Sequence, residues 1–198
     1  MSETWADIDR AIAVLAAPLG QPGDDDSRRR ALDFLLSRAD EAHPRMLAAL
    51  DASGRSAAPQ FLVLALPAFA RAESIPPLES ILNNAGEADA MVAARALAAH
   101  PASAARETLL RALGSEHEPS AAAAADGLLL RGDPSVCREL LRFTNHRNRE
   151  IRYHALQAAA GLGCIDDNTI SLISARDADE QIRELARRLL DERRTVKH

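Results

Sequence analysis

Aromatic residues are scarce in this chain. They make up 3% of its 198 residues, with one Trp, one Tyr and four Phe, although 47% of the residues are apolar. β-Strands favour aromatic and β-branched side chains, whereas Ala, Leu, Arg and Glu are strong helix formers. A core that must be built from Ala, Leu, Ile and Val therefore predicts an all-helical fold whose elements approach each other closely.

Cysteine, long apolar runs and excess positive charge are scarce as well. Cys137 and Cys164 are too few for a disulfide framework and lack C-x-x-C spacing, so we expect free thiols in a reducing cytosol. No apolar run reaches transmembrane length, and the first residues lack the basic region of a signal peptide. The formal net charge is −5, which argues against a general nucleic-acid binder. We therefore expect a soluble cytoplasmic protein without a membrane segment, and the bias to Ala and Arg indicates a GC-rich bacterial genome.

Small residues recur about every 31 residues along the chain. In most cases an aliphatic residue lies four positions before the small residue, and a Leu lies directly after it. Residues at this spacing form one stripe on a helix. A side chain no larger than a methyl group lets a neighbouring helix come close. The recurring positions are Ala31, Ala65, Ala96, Gly127, Ala155 and Ala186. We interpret them as the second helices of six two-helix repeats.

Shorter amphipathic stretches between these positions predict the first helices. Pro44 and Pro76 suit the first turn of a helix, where the missing N–H costs little. The predicted first helices cover 5–19, 44–51, 76–84, 104–113, 135–144 and 168–175. The corresponding repeats cover 5–40, 43–72, 75–100, 103–131, 134–162 and 165–194. No long linker interrupts them, so we expect a single domain over 1–198.

The motif Ile-Arg-x-x-Ala, at 151–155 and again at 182–186, resembles HEAT repeats, especially the short bacterial kind named after phycobilisome lyases. The resemblance implies a right-handed α-α superhelix whose second helices line the concave face. It also implies that the motif Arg reaches an Asp six residues earlier. Arg183 and Asp177 match that pair, whereas Arg152 has a histidine there. An irregular helical bundle is the alternative.

Within that arrangement, the positions two and six residues after each aliphatic anchor would face the groove. They are charged near both ends of the chain and apolar in the middle, which is typical of a protein-binding patch with a polar rim. The alternative is that the small residues reflect only tight curvature. The predicted groove residues are Arg29, Asp33, Val63, Pro67, Ala94, Ala98, Ala125, Leu129, Tyr153, Gln157, Glu184 and Arg188.

The segment 57–70 has one polar residue in fourteen. A helix that is apolar all round is either buried on every side or contacts a partner. Because full burial is hard in a stack two layers thick, this segment predicts a homodimer contact. Pro67 should bend it.

Arginines cluster around the fifth repeat. Arg142, Arg147, Arg149 and Arg152 lie close together in the sequence and form a candidate site for phosphate or an acidic partner. The alternative is a solvated helix end together with a structural Arg152.

Recognisable catalytic and metal-binding patterns are missing. No phosphate-binding, dinucleotide-binding, nucleophile-elbow or H-E-x-x-H motif occurs, and the single His-Glu pair at 117–118 has no second copy. We therefore expect no metal, no cofactor and no enzymatic activity. The leading prediction is a scaffold that holds a segment of another protein in the groove. The alternatives are a lyase-type subunit that handles a tetrapyrrole-like ligand, and nucleic-acid binding through the fifth-repeat arginines.

Overall fold

The computed structural model describes residues 7–17, 24–53 and 59–196. All regular secondary structure in these ranges is helical, which confirms the all-helical prediction. Short 3₁₀ segments occupy Leu66–Phe69, Ala72–Ser74 and Pro134–Val136. The α-helices are α1 (Ile8–Ala16), α2 (Asp24–Leu36), α3 (Ala39–Ala52), α4 (Gln60–Ala65), α5 (Ile75–Asn84), α6 (Glu87–Ala99), α7 (Ser103–Leu113), α8 (Glu118–Arg131), α9 (Cys137–Phe143), α10 (Arg149–Gly161), α11 (Asp167–Arg176) and α12 (Glu180–Val196).

The predicted first and second helices alternate along the chain, as the repeat spacing predicts. The odd-numbered helices fall at the predicted first helices and the even-numbered helices at the predicted second helices. The six recurring small residues all lie in even-numbered helices, and all six are buried. The prediction that these positions form packing contacts is confirmed. Residues 5–6 and 18–19 of the first predicted helix lie outside the described residues.

The helix around Pro44 begins earlier than predicted. α3 starts at Ala39, so Pro44 lies inside the helix rather than in its first turn. Asp40 and Glu41 occupy the first turn instead, where acidic side chains favour the positive end of the helix dipole. Pro76, by contrast, lies in the first turn of α5 as expected.

The chain divides into two compact units, 1–108 and 109–198, with the boundary inside α7. A single continuous domain was expected. In the first unit α1 packs on α2 and α5 on α6, while α4 contacts α1, α3 and α6. In the second unit α8 packs on α10 and α10 on α12, and α9 and α11 pack on α10 and α12 respectively.

Most of the apolar segment around α4 is covered by its own chain. Leu62, Val63 and Leu66 are fully buried, and Phe69 is 8% exposed, because helices of the first unit pack on several sides of this segment. Leu64 nevertheless stays 42% exposed, so the homodimer through 57–70 remains a prediction. Residues 57–58 lie outside the described residues. α4 ends at Ala65 and a 3₁₀ segment continues from Leu66 through Pro67, and the bend expected at Pro67 stays a prediction.

The expectation of two free thiols is wrong. A disulfide joins Cys137, the first residue of α9, to Cys164, in the loop that follows α10. The two cysteines are 27 positions apart, and the packing of α9 on α10 brings them together. Sequence spacing could not show this, because the pairing depends on how two helices of the same repeat meet.

In the ranges that the structure describes, no helix is both long enough and apolar enough to cross a bilayer.

Candidate functional site

A pocket of about 530 Å³ lies on three consecutive second helices of the C-terminal unit, α8, α10 and α12. We call it the second-helix pocket. Most of its lining is polar. The lining residues are Glu118, Glu150, Tyr153, His154, Gln181, Glu184, Leu185 and Arg188.

Helical periodicity brings these side chains to one face. Glu184 and Arg188 are four residues apart on α12, so they lie on the same side of that helix. On α10 the buried Ile151 and Ala155 hold the opposite side in the core, which leaves Tyr153 half-buried at the pocket. The start of α10 is fixed by Asn148, whose side chain accepts a hydrogen bond of 2.9 Å from the backbone N–H of Glu150.

The second-helix pocket carries more negative than positive charge. Glu118, Glu150 and Glu184 contribute three carboxylates, whereas Arg188 contributes the only guanidinium among its lining residues. Glu150 is paired with Arg149 at 2.8 Å. This pair is partly exposed to solvent and weakens the negative potential only in part.

His154 adds a neutral, partly buried ring to the pocket. Burial lowers the pKa of His154 below its ordinary 6.5, although Glu150, Glu118 and Asp126 oppose that shift. The imidazole is therefore uncharged at neutral pH. Its ring meets the Tyr153 ring edge-on, with 5.5 Å between centroids, which places two aromatic rings beside the carboxylates.

Some of the predicted groove residues meet here. Tyr153, Glu184 and Arg188 all line the second-helix pocket. Gln157 is half-buried one turn further along α10 and does not line it. Leu129 packs against Gly161 of α10, where a Cβ atom would lie 2.4 Å from Leu129 Cδ2.

The apolar middle of the predicted groove is not exposed to solvent. Val63, Ala94 and Ala125 are at most 1% exposed, and Pro67 is buried as well. The prediction was wrong at these four positions, because neighbouring helices cover the side that was expected to face solvent.

The remaining predicted groove residues lie in the first unit. Ala98 is half-buried on α6, and Arg29 and Asp33 are exposed on α2.

Arg152 is a structural residue rather than an anion-binding one. Its Nε and Nη2 donate to the two carboxylate oxygens of Asp177 at 3.1 and 3.0 Å. Its Nη1 donates to the backbone carbonyls of His146 and Arg147 at 2.9 and 3.1 Å. Each nitrogen of the guanidinium is thus already bonded within the protein, which corrects the expectation of an anion site there.

The other arginines of the predicted cluster have different neighbours. Arg147 pairs with Glu116 at 2.8 Å. Arg149 pairs with Glu150 and lies 3.7 Å from Asp179. Arg142 lies apart from them, beside a different pocket. Arg142 thus lines a pocket that Arg147, Arg149 and Arg152 do not line, and anion binding by Arg142, Arg147 and Arg149 stays a prediction.

The motif arginines share a contact that differs from the predicted one. Nη1 of Arg183 donates to the backbone carbonyl of Asp177, and Nη1 of Arg152 donates to that of His146, in both cases six residues earlier. The acceptor is therefore the backbone, which explains why a histidine is tolerated there. The carboxylate of Asp177 instead reaches back to Arg152 of the preceding repeat, a contact that sequence matching missed.

One serine–histidine pair is buried in the first unit. Nε2 of His43 lies 2.8 Å from Oγ of Ser74, and both residues are almost completely inaccessible. A substrate could not reach this pair, so it serves the packing of α3 against the segment before α5. Among residues 7–17, 24–53 and 59–196, no group of three or more His, Cys, Asp or Glu side chains could hold a metal ion.

No protein-family model matches the sequence, and no curated protein matches it either.

Proposed function

We propose that this protein is a non-catalytic adaptor that holds a segment of another protein in the second-helix pocket. The observation that carries the proposal is the pocket itself, because it extends over three successive second helices and combines carboxylates with an aromatic surface. A surface shared by several helices can follow an extended polypeptide over several residues. A half-buried Tyr beside charged groups is also typical of protein-binding patches.

The proposal includes a superhelix of HEAT-like repeats. Three features support it: the alternating short helices, the buried small residue in each even-numbered helix, and the Arg-to-carbonyl contact that recurs at Arg152 and Arg183. The successive packing of α8, α10 and α12 also fits a stack of repeats. In such a stack the second-helix pocket lies on the concave face.

The charge of the second-helix pocket favours a basic partner segment. A Lys or Arg side chain can lie against the Tyr153 ring and contribute a cation–π contact while Glu118 and Glu184 provide carboxylate acceptors. Arg188 lies at the same pocket and can bind a carbonyl or an acidic residue next to the cation. We therefore propose a partner segment with a central cationic residue.

The same chemistry disfavours the alternatives. Nucleic acid would be repelled by a pocket with three carboxylates, and the arginines that could attract it are largely paired with acidic residues. A tetrapyrrole-like ligand requires a broad apolar cavity, whereas the predicted apolar middle of the groove is buried.

The proposal can be tested with peptides displayed from the proteome of the host organism. We expect the purified protein to enrich segments with a Lys or Arg at a fixed position, and Glu184→Arg to weaken binding of the enriched peptide at least tenfold. Glu107→Arg is the matched control, because it makes the same charge change at an exposed position on α7, outside the second-helix pocket. Equal binding by both variants, or enrichment of acidic segments, would contradict the proposal.

A further inference from the structure

A second pocket, of about 390 Å³, lies between α7 and α9 in the C-terminal unit. We call it the α7–α9 pocket. We infer that it binds a small amphipathic carboxylate, a molecule with an apolar body and one carboxylate head. This goes beyond the proposed adaptor function, since it concerns different helices and a different ligand. The lining residues are Leu110, Arg111, Glu139, Arg142, Phe143 and His146.

The floor of the α7–α9 pocket is apolar and is not part of the core. Leu110 and Phe143 are only half-buried, so their side chains still present apolar surface to the pocket. The Phe143 ring lies against Gly114, where a Cβ atom would come within 3.1 Å of a ring carbon. The missing side chain at Gly114 thus allows the ring to lie where it forms the pocket wall.

Positive charge and hydrogen-bond donors surround this floor. Arg111 and Arg142 both line the α7–α9 pocket, and Arg142 forms no ion pair within the described residues. Nδ1 of His146 accepts the backbone N–H of Asn148 at 3.2 Å, so a neutral imidazole carries its proton on Nε2 and can donate it.

One negative charge is also present among the lining residues. Glu139 is opposed by Arg111 and Arg142, so the lining as a whole is positive. A guanidinium recognises a carboxylate through two parallel hydrogen bonds.

Size and polarity select the ligand class. A volume of about 390 Å³ falls in the usual range for pockets that hold one small molecule, which is too small for a helix or a nucleic-acid duplex. A fully hydrated anion such as phosphate would leave the apolar floor uncovered. An alkyl or aryl carboxylate covers that floor and places its charge beside Arg142.

The experiment compares three ten-carbon probes: decanoate, decanol and decyltrimethylammonium. Each is titrated into the full-length protein below its micelle concentration and followed by amide NMR and calorimetry. We expect saturable binding of decanoate, about tenfold weaker binding of decanol and none of the cation. Shifted amides should belong to α7 and α9.

Two variants identify the charged contact. Arg142→Gln should weaken decanoate binding about tenfold and leave decanol binding unchanged. Arg194→Gln is the matched control, since Arg194 lies in the same unit, is 76% exposed and does not line the α7–α9 pocket. Its binding should equal that of the unmodified protein.

Three outcomes would overturn the inference: no saturable decanoate binding, decanol binding as tight as decanoate binding, or equal effects of the two variants. A short apolar peptide with a free C-terminus that binds more tightly than decanoate would assign the pocket to a protein tail instead. None of these results bears on the second-helix pocket, so this inference and the proposed function fail independently.

Discussion

At the residue scale, two ion pairs of the C-terminal unit contrast in their surroundings. Arg152 and Asp177 are 14% and 11% exposed in their side chains, and Arg147 and Glu116 are 83% and 72% exposed. Burial raises the pKa of Asp177, but the hydrogen bonds from Arg152 and from the Asp179 N–H outweigh it, so the pKa lies below its ordinary value. Asp177 therefore remains charged in the fold.

Removing one partner of the buried pair should be costly. We expect Arg152→Gln to lower the free energy of unfolding by about 3 kcal/mol, because Asp177 is left as a poorly solvated charge and two carbonyls lose their donor. Arg147→Gln should cost less than about 1 kcal/mol, as is usual for an exposed pair. Urea denaturation of both variants measures the difference. Equal losses would show that Arg152 has no structural role.

His43 should make the first unit sensitive to acid. Its pKa is lowered by burial and by the charge of Arg71, while Glu73 raises it and His100 lowers it further. Because the unfolded chain binds the proton more readily, stability is full above about pH 6.5 and falls as the pH drops below it.

We expect His43→Gln to reduce stability at pH 7.5, since the bond to Ser74 changes, and to flatten the decline between pH 6.5 and 5. Denaturation curves across this range measure the slope, and His117→Gln, at an exposed position, is the control. An unchanged slope in His43→Gln would contradict this account of the acid sensitivity.

At the element scale, α9 is held at its first residue by a covalent bond. Cys137 begins α9, and Cys164 lies in the loop after α10, so the disulfide ties the start of α9 to the end of the α9–α10 pair. α9 is only seven residues long, which is too short to be stable alone. Its position therefore depends on this bond and on packing against α10.

Reduction should destabilise the C-terminal unit. Closing a loop between cysteines 27 positions apart is worth about 3–4 kcal/mol by the chain-entropy relation. We expect a reductant to lower the melting temperature of the unmodified protein and to leave the Cys137→Ser/Cys164→Ser variant unchanged at the lower value. Two titratable thiols in the untreated protein, measured by alkylation and mass spectrometry, would contradict this.

At the scale of the whole molecule, the sequence predicted the positions of the helices better than it predicted which of their side chains are buried. The repeat spacing located Ala31 and Ala186 in helices and in buried contacts, because a helical stripe of small residues has a period that can be read directly. The repeat spacing could not show which neighbouring helices cover the other residues of each second helix. Val63 and Ala125 occupy the same register as Tyr153 and yet are buried, because exposure depends on neighbours from other repeats.

The candidate site was predicted only in part for the same reason. Tyr153, Glu184 and Arg188 were expected in the groove from their register and do line the second-helix pocket. Glu118 and His154 were missed, since they lie outside the two register positions that were considered. A pattern of charge rather than hydrophobicity at the starts of α8 and α10 could have pointed to Glu118 and Glu150.

The central claim is that a protein segment binds across the second helices. The most direct measurement places a photo-crosslinking amino acid at Tyr153, or at Leu172 on α11, which is 50% exposed but does not line the second-helix pocket. The selected peptide is then mapped by mass spectrometry. The account predicts a crosslink from position 153 that Glu184→Arg abolishes, and none from position 172. A crosslink from position 172 with none from 153 would contradict it.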